Sequence, residues 1–413
     1  MSVITPIKCG PMSSVPGSIA IVLRDFRLGG SERVAIGLAN YWSSRQIAVT
    51  LLVGRDDGPL RSLLVPAVEI VDLALKPGLG DTRLAWSLAF RAREVLRLRK
   101  IESCYVPGNS HWPVIPMLKS LPAAQAPHVV AQVSSPVCRP GRSRLIQIGY
   151  DWRMRRLLGK ADAITTLSDS LAYETREIVG CAHVDVVPLP ALWDEGRPSP
   201  VPQGTMTILA AGRLVPIKGF DLLINAFAEV AARHPEARLV ICGEGPERGA
   251  LENLIGSLGL TARVTLTGYV PSIRPFLEQA RLFVLSSHCE SFGAVLLEAL
   301  AAGRQIVSTR CSPAVESLIT CATAGRSVPT RDVAALAGAM SDLLYEPSPD
   351  CEALAALVSP FHVSRGGEDF LALMRPRSAE PRATERVGGE LRDKPSQRPG
   401  ASMAHASLTR HAL

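Results

Sequence analysis

Long apolar runs are missing from this 413-residue sequence: nowhere do the roughly 20 uninterrupted apolar residues needed to span a bilayer occur. The opening stretch, MSVITPIKCGPMSSVPG, has no apolar core ahead of a small-residue cleavage site, so no signal peptide is expected. Paired cysteines are missing as well. The nine cysteines are scattered singly, with no CxxC and no metal-ligand spacing. That pattern excludes a disulfide framework, reads as buried thiols in a reducing cytosol, and leads us to expect no bound metal. Aromatic residues make up only 5% and none is interleaved with the cations, which speaks against nucleic acid as a partner. GxGxxG is absent, which disfavours a dinucleotide dehydrogenase.

What is present is apolar mass: 47% hydrophobic residues against 20% charged ones, in a chain long enough for two cores. Short β-branched runs alternate with amphipathic stretches, twice over. In the front half these are residues 19–23, 47–53, 69–73, 129–133, 162–167 and 184–188; in the back half, 206–211, 238–242, 263–267, 281–285 and 305–308. Unbroken runs of this kind mean parallel strands covered on both faces. The expected organisation is a flexible stretch 1–17, a front domain 18–190, a Pro- and Gly-rich linker 191–204, a back domain 205–360, a crossing helix 361–374 and a disordered tail 375–413. Two such α/β domains of doubly wound type place their crevices at the carboxyl ends of their strands, so the cleft between them is the expected site.

Three stretches carry chemistry. "AAGRLVPIKGFDLL" (210–223) ends a strand, turns at a glycine, and sets Arg213 and Lys218 in a short loop that opens onto a helix. A guanidinium fork, a compact ammonium and a helix N-terminus together suit a diphosphate, although an ordinary surface loop with two solvated cations has the same composition. "HCESFGAVLLEALAAG" (288–303) places Glu290 and Glu298 eight positions apart with only small and apolar residues between them. Glu290 belongs to a crevice loop near backbone N–H groups at Gly293 and Ala294, and Glu298 to the helix behind, where its carboxylate can accept bonds from the adjacent hydroxyls of a ribose. "FRLGGSERVAIGLAN" (26–40) follows the first strand; Gly29 and Gly30 allow close backbone approach and Ser31 is expected to cap the next helix.

These motifs resemble a retaining glycosyltransferase of the GT-B fold, in glycosyltransferase family 4. The resemblance runs from about Ile19 to Met374 and rests on "ESFGAVLLEALAAG", "GRLVPIKGFDLLINAF", "VICGEGPE", "VTLTGYV", "ADAITTLSDSL" and "GGSERVAIGLA" in that family's order along the chain. It implies two Rossmann-like doubly wound domains facing each other across a cleft and a nucleotide-sugar donor. Arg213 and Lys218 would then bind the donor diphosphate. Glu298 would hold the ribose, Glu290 the donor sugar, and backbone around Phe292, Gly293 and Ala294 the sugar and phosphate. Val270 would frame the base, most often uracil in the family, and Gly29 and Gly30 would lie in the front-domain loop over the site. No cofactor or metal is implied, because the nucleotide-sugar is a substrate.

The sequence departs from the family in places. Many members carry a His after the strand that matches "VVAQVSSP", where this chain has Ser134 and Ser135; His111 in "VPGNSHWP" is the remaining candidate. The acceptor is expected in the front domain, as a glycan or lipid-linked glycan. Residues 1–203 hold 24 Lys and Arg against 17 Asp and Glu, whereas residues 204–374 hold 13 against 17. Cations gather in "RAREVLRLRK" (91–100), "CRPGRSR" (138–144) and "WRMRRLLGK" (152–160), which points to peripheral attachment at an anionic membrane surface on the cytoplasmic side. A nucleotide-sugar epimerase or hydrolase of similar build, or a non-catalytic nucleotide-sugar binding protein, fits the same residues.

Overall fold

The computed structural model describes residues 15–27, 29–78, 80–135, 143–180, 184–193, 196–290, 292–319 and 323–375. The expected flexible start (mostly), the disordered tail from 376 and part of the "CRPGRSR" cluster lie outside them.

The front sheet has seven parallel strands, β1 (Ser18–Leu23), β2 (Ala48–Val53), β3 (Glu69–Asp72), β4 (Ser103–Val106), β5 (His128–Val133), β6 (Ala163–Thr166) and β7 (Val184–Val186), in the order β3-β2-β1-β4-β5-β6-β7. The back sheet repeats the plan with β8 (Thr207–Ala211), β9 (Arg238–Cys242), β10 (Val264–Gly268), β11 (Leu282–Leu285), β12 (Gln305–Thr309) and β13 (Gly325–Val328), ordered β10-β9-β8-β11-β12-β13. Both are doubly wound α/β sheets, and in both the strand order reverses beside the first strand, at β1/β4 and at β8/β11. Ligands of open parallel sheets bind at such reversals. Two strands escape the sequence reading, β4 and β13. "SCYV" is fully buried at the centre of its sheet, yet its four residues follow a Glu and open on a Ser. "GRSV" has only one large apolar side chain.

The helix Val363–Leu373 returns to the front domain. Phe370, fully buried, packs edge-on against Tyr105 (4.8 Å between centroids) and Trp42 (6.4 Å). Trp42 Nε1 donates to Gly367 O at 3.1 Å, and Ser103 Oγ donates to Met374 O at 3.0 Å. Burying a phenylalanine of this kind contributes about 1.5–3 kcal/mol. The chain crosses between domains twice at one point, where Leu192 N donates to Phe361 O (3.0 Å) and Val363 N to Leu192 O (2.8 Å). This seam fixes the two crevices relative to each other.

Candidate active site

The loops after β8 and β11 are stitched together. His288 N donates to Ile217 O at 2.8 Å, and Ser286 Oγ to Lys218 O at 3.0 Å. Gly219 makes the approach possible: its φ is +61°, and a Cβ there would stand 2.4 Å from Ser286 O. Lys218, at the end of the 3₁₀ turn Pro216–Lys218, is thereby turned toward Glu290, and ammonium and carboxylate form an ion pair. Ser287 Oγ donates to the same oxygen, Glu290 Oε1, at 2.8 Å. Behind it, Thr309 Oγ1 donates to Ser287 O at 2.5 Å, and Glu290 N donates to Cys311 O at 3.2 Å. The side chains of Lys218 and Glu290 are only 21% and 13% exposed, so each charge compensates the other's lost hydration. Arg213, one residue beyond the end of the same β8 loop's Gly212, is exposed.

The helix Ala294–Ala301 starts at Gly293, whose φ of +76° turns the chain out of the loop, and it has no side-chain cap. An uncapped first turn leaves its N–H dipoles directed at whatever anion occupies the crevice. Phe292 is buried with its ring edge-on to Phe361 at 5.5 Å, so its side chain belongs to the core and only its backbone faces the loop. Val270, after β10, is half-buried against the same core.

Glu298 sits in a different setting. Its carboxylate lies 4.0 Å from the guanidinium of Arg33, a residue of the front domain's first helix, Gly30–Ser44. Arg33 in turn stacks over Trp193, 5.2 Å from the ring centroid. Arg33, Trp193 and Glu298 line one small cavity with Arg274 and His362. Sequence reasoning missed Arg33. The signal available was its place one turn into the helix that follows the glycine pair.

Gly29 is the N-cap of that helix, without a side-chain cap, and Ser31 lies inside the helix, which corrects the expectation that Ser31 caps it. Glu32 folds back instead: a Cβ on Gly29 would stand 2.0 Å from its Oε2. Burial pushes the Glu32 carboxyl above its ordinary range. Gly30 is exposed with open space beside it, since a Cβ there meets nothing within 4 Å. The loops after β1, β4 and β5 converge at Gly108, whose added Cβ would lie 3.0 Å from Ser31 Oγ and 3.2 Å from Ser134 Oγ. Ser134 N donates to Asn109 Oδ1 at 3.1 Å. His111 differs from expectation. The residue is 1% exposed rather than presented to the crevice; Nδ1 donates to Pro107 O at 2.5 Å, and Nε2 has no partner among the described residues. Burial pulls its pKa down to about 4, so the imidazole is neutral.

Residues 28–190 match the family described as Glycosyltransferase Family 4, and residues 193–356 match Glycosyl transferases group 1. The chain therefore carries one of these two glycosyltransferase domains in each half, in a GT-B fold. Over 215 residues it is 35% identical to an exopolysaccharide phosphotransferase of Streptomyces coelicolor, covering 49% of this chain and 23% of that protein. Over 142 residues it is 37% identical to an alpha-D-kanosaminyltransferase of Streptomyces kanamyceticus, covering 34% of this chain and 36% of that one. The chain thus spans just under a quarter of the one relative and just over a third of the other. In fold it is similar to Anabaena Alr3699/HepE in complex with UDP and glucose, with a TM-score of 0.65 at 18% identity, over 86% of this chain and 98% of that one. The family 4 domain contributes the loops of Gly29, Gly108 and Ser134, and the group 1 domain contributes the loops of Lys218, Glu290 and Val270. No helix among the described residues is long and apolar enough to cross a membrane.

Proposed function

We propose that the protein is a retaining glycosyltransferase that moves a sugar from a nucleoside-diphosphate donor, a UDP-sugar, onto a glycan or lipid-linked glycan. The observation that carries this reading is the Lys218–Glu290 pair beside the uncapped start of the helix Ala294–Ala301. A donor diphosphate entering there takes Lys218 as its counter-ion, with exposed Arg213 closing from the rim, and the ion pair opens. Glu290 is then released to accept hydrogen bonds from the donor sugar. As the diphosphate departs, Arg213, Lys218 and the helix N-terminus stabilise its charge without a metal, and the ring carbon gains positive character that Glu290 favours. In this reading Glu298 holds the ribose, the backbone of Phe292, Gly293 and Ala294 follows sugar and phosphate, and Val270 borders the base. Gly29, Gly30 and Ser134 face the donor from the front domain. A front-face displacement lets the departing phosphate take the acceptor's proton, so the enclosed, neutral His111 is not required as a base.

The front domain also supports peripheral attachment to an anionic membrane. The helix Arg144–Leu158 exposes Leu145, Ile146, Ile148 and Trp152, at 82, 63, 56 and 61%, beside Arg153 and Arg156. Apolar side chains that face water next to cations suit the boundary between headgroups and acyl chains.

A thermal-shift screen against UDP-, GDP- and ADP-sugars tests the donor, since a bound ligand raises stability by RT ln(1 + [L]/Kd). Acceptor-dependent release of UDP separates a transferase from an epimerase, a hydrolase and a binding protein. The anomeric configuration of the product decides retention, and an inverted product would refute that part.

A further inference from the structure

In the front sheet, hydrogen bonding continues past the strand ends. Gly54 N donates to Leu23 O (2.9 Å), Arg55 N to Arg24 O (3.1 Å), Leu73 N to Val53 O (2.8 Å) and Leu75 N to Gly54 O (2.8 Å). These bonds hold three strand extensions side by side, and each brings a cation: Arg24 after β1, Arg55 after β2 and Lys76 after β3. Together with Arg27 they line one cavity of about 310 Å³. Gly54 keeps the extensions close, because a Cβ there would stand 2.7 Å from Arg24 O. The 18-residue helix Asp81–Leu98 begins at the cavity and adds its N-terminal dipole.

The acids on hand do not balance these cations. Among the described residues Asp25 and Asp81 are the acids of the lining; Arg27 binds Asp25 at 2.6 Å and Arg24 binds Asp81 at 2.8 Å. Arg55 stands 3.6 Å from Asp57, a loose pair, and no ion pair among the described residues involves Lys76. Lys76, without an ion pair among the described residues, Arg55, held only at 3.6 Å by Asp57, and a helix N-terminus thus face a cavity at the low end of the roughly 300–1,000 Å³ of ligand pockets. That volume suits a small anion rather than a whole nucleotide-sugar. The cavity lies at the carboxyl ends of β1–β3, on the same side as the Gly29–Gly30 loop, and its lining residues all come from the front domain.

We propose that this cavity binds a phosphate or diphosphate group carried by the acceptor. The inference rests on the reading that the front domain receives the acceptor, and it narrows that acceptor to a phosphorylated one. Arg55 and Lys76 supply the charge-assisted hydrogen bonds, and the helix Asp81–Leu98 supplies backbone N–H groups.

The test is calorimetric titration of inorganic pyrophosphate into the full chain saturated with UDP, which keeps the donor crevice filled. The wild-type protein takes up pyrophosphate, and the double variant Arg55→Gln/Lys76→Gln binds it about tenfold or more weakly, the loss expected for charged hydrogen bonds. The rise in Tm produced by UDP stays the same in that variant, showing an intact fold and donor crevice. Absence of pyrophosphate binding to the wild type, or equal affinity in the variant, overturns the proposal. Failure of UDP to raise the wild-type Tm would instead sink the donor reading, and dependence of pyrophosphate binding on Arg55 and Lys76 would still decide the cavity. Glucose 6-phosphate and a short-chain prenyl phosphate, each competing against pyrophosphate, separate a soluble from a lipid-borne source. Competition by either supports the site, and competition by neither counts against it.

Discussion

Arg33 of the front domain and Glu298 of the back domain face each other 4.0 Å apart, with side chains 27% and 21% exposed. The contact ties the helix after the glycine pair to the helix behind Glu290, so, on the proposed function, donor binding and the relative placement of the two domains would share a residue. Replacing Arg33 with Met keeps an unbranched side chain beside Trp193 and removes the charge together with its stacking over the ring. At this separation and exposure the pair contributes at most about 1 kcal/mol to stability. The expected outcome is a Tm close to wild type with a raised KM for the donor. An unchanged KM would show that Glu298 needs no help from Arg33.

The two acids should fail differently. Glu298→Ala weakens donor affinity, because ribose contacts are alike in ground and transition states and such uniform binding appears in KM. Loss of a charged acceptor costs about 1.5–3 kcal/mol, roughly 10- to 150-fold, and the partial exposure of Glu298 puts it at the lower end. Glu290→Ala lowers kcat more than it raises KM, since its effect grows as the ring gains positive character. Glu290→Gln keeps the shape and loses the charge that pairs with Lys218, so it should be nearly as impaired as alanine. Normal turnover of Glu290→Ala at saturating donor would refute its assignment to the reacting sugar. Steady-state kinetics on the three variants settles the matter.

His111 makes stability depend on pH. Its folded pKa of about 4 lies below the ordinary 6.5, so the unfolded chain binds the proton more readily. The contribution is therefore complete above pH 6.5 and is lost as pH falls from there toward 4. By pH 5 the loss amounts to about 2 kcal/mol. Urea unfolding at pH 7 and pH 5 should show a drop that is smaller in His111→Gln. The same slope in both proteins would mean that another group controls it.

Attachment to vesicles should track the helix Arg144–Leu158. Arg93 and Arg99 are already engaged, with Glu94 at 2.8 Å and Glu69 at 2.5 Å, which leaves less of their charge for lipid. Arg156 stacks over Trp152 at 5.3 Å beside the exposed apolar residues. Trp152→Ala combined with Arg153→Glu and Arg156→Glu should abolish sedimentation with anionic vesicles, at about 1 kcal/mol per cation removed. UDP binding should persist. Equal binding of the wild type to neutral vesicles at high salt would exclude the electrostatic account.

The doubly wound α/β plan was legible in the sequence because unbroken β-branched runs are what strands covered on both faces require. "ESFGAVLLEALAAG" and "GRLVPIKGF" stood out as candidate site motifs because two acids amid apolar residues, and two cations in a strand-end loop that opens onto a helix, call for charged partners. What the sequence could not disclose was pairing across distance. Lys218 with Glu290, Arg33 with Glu298, and the three cations of β1–β3 converge only because parallel strands deliver their loops to one end of a sheet. Which loops meet is set by the strand order, through hydrogen bonds between residues far apart in the chain. His111 reads the same in sequence whether it lines a crevice or is enclosed; burial alone separates the two, and burial belongs to the tertiary structure.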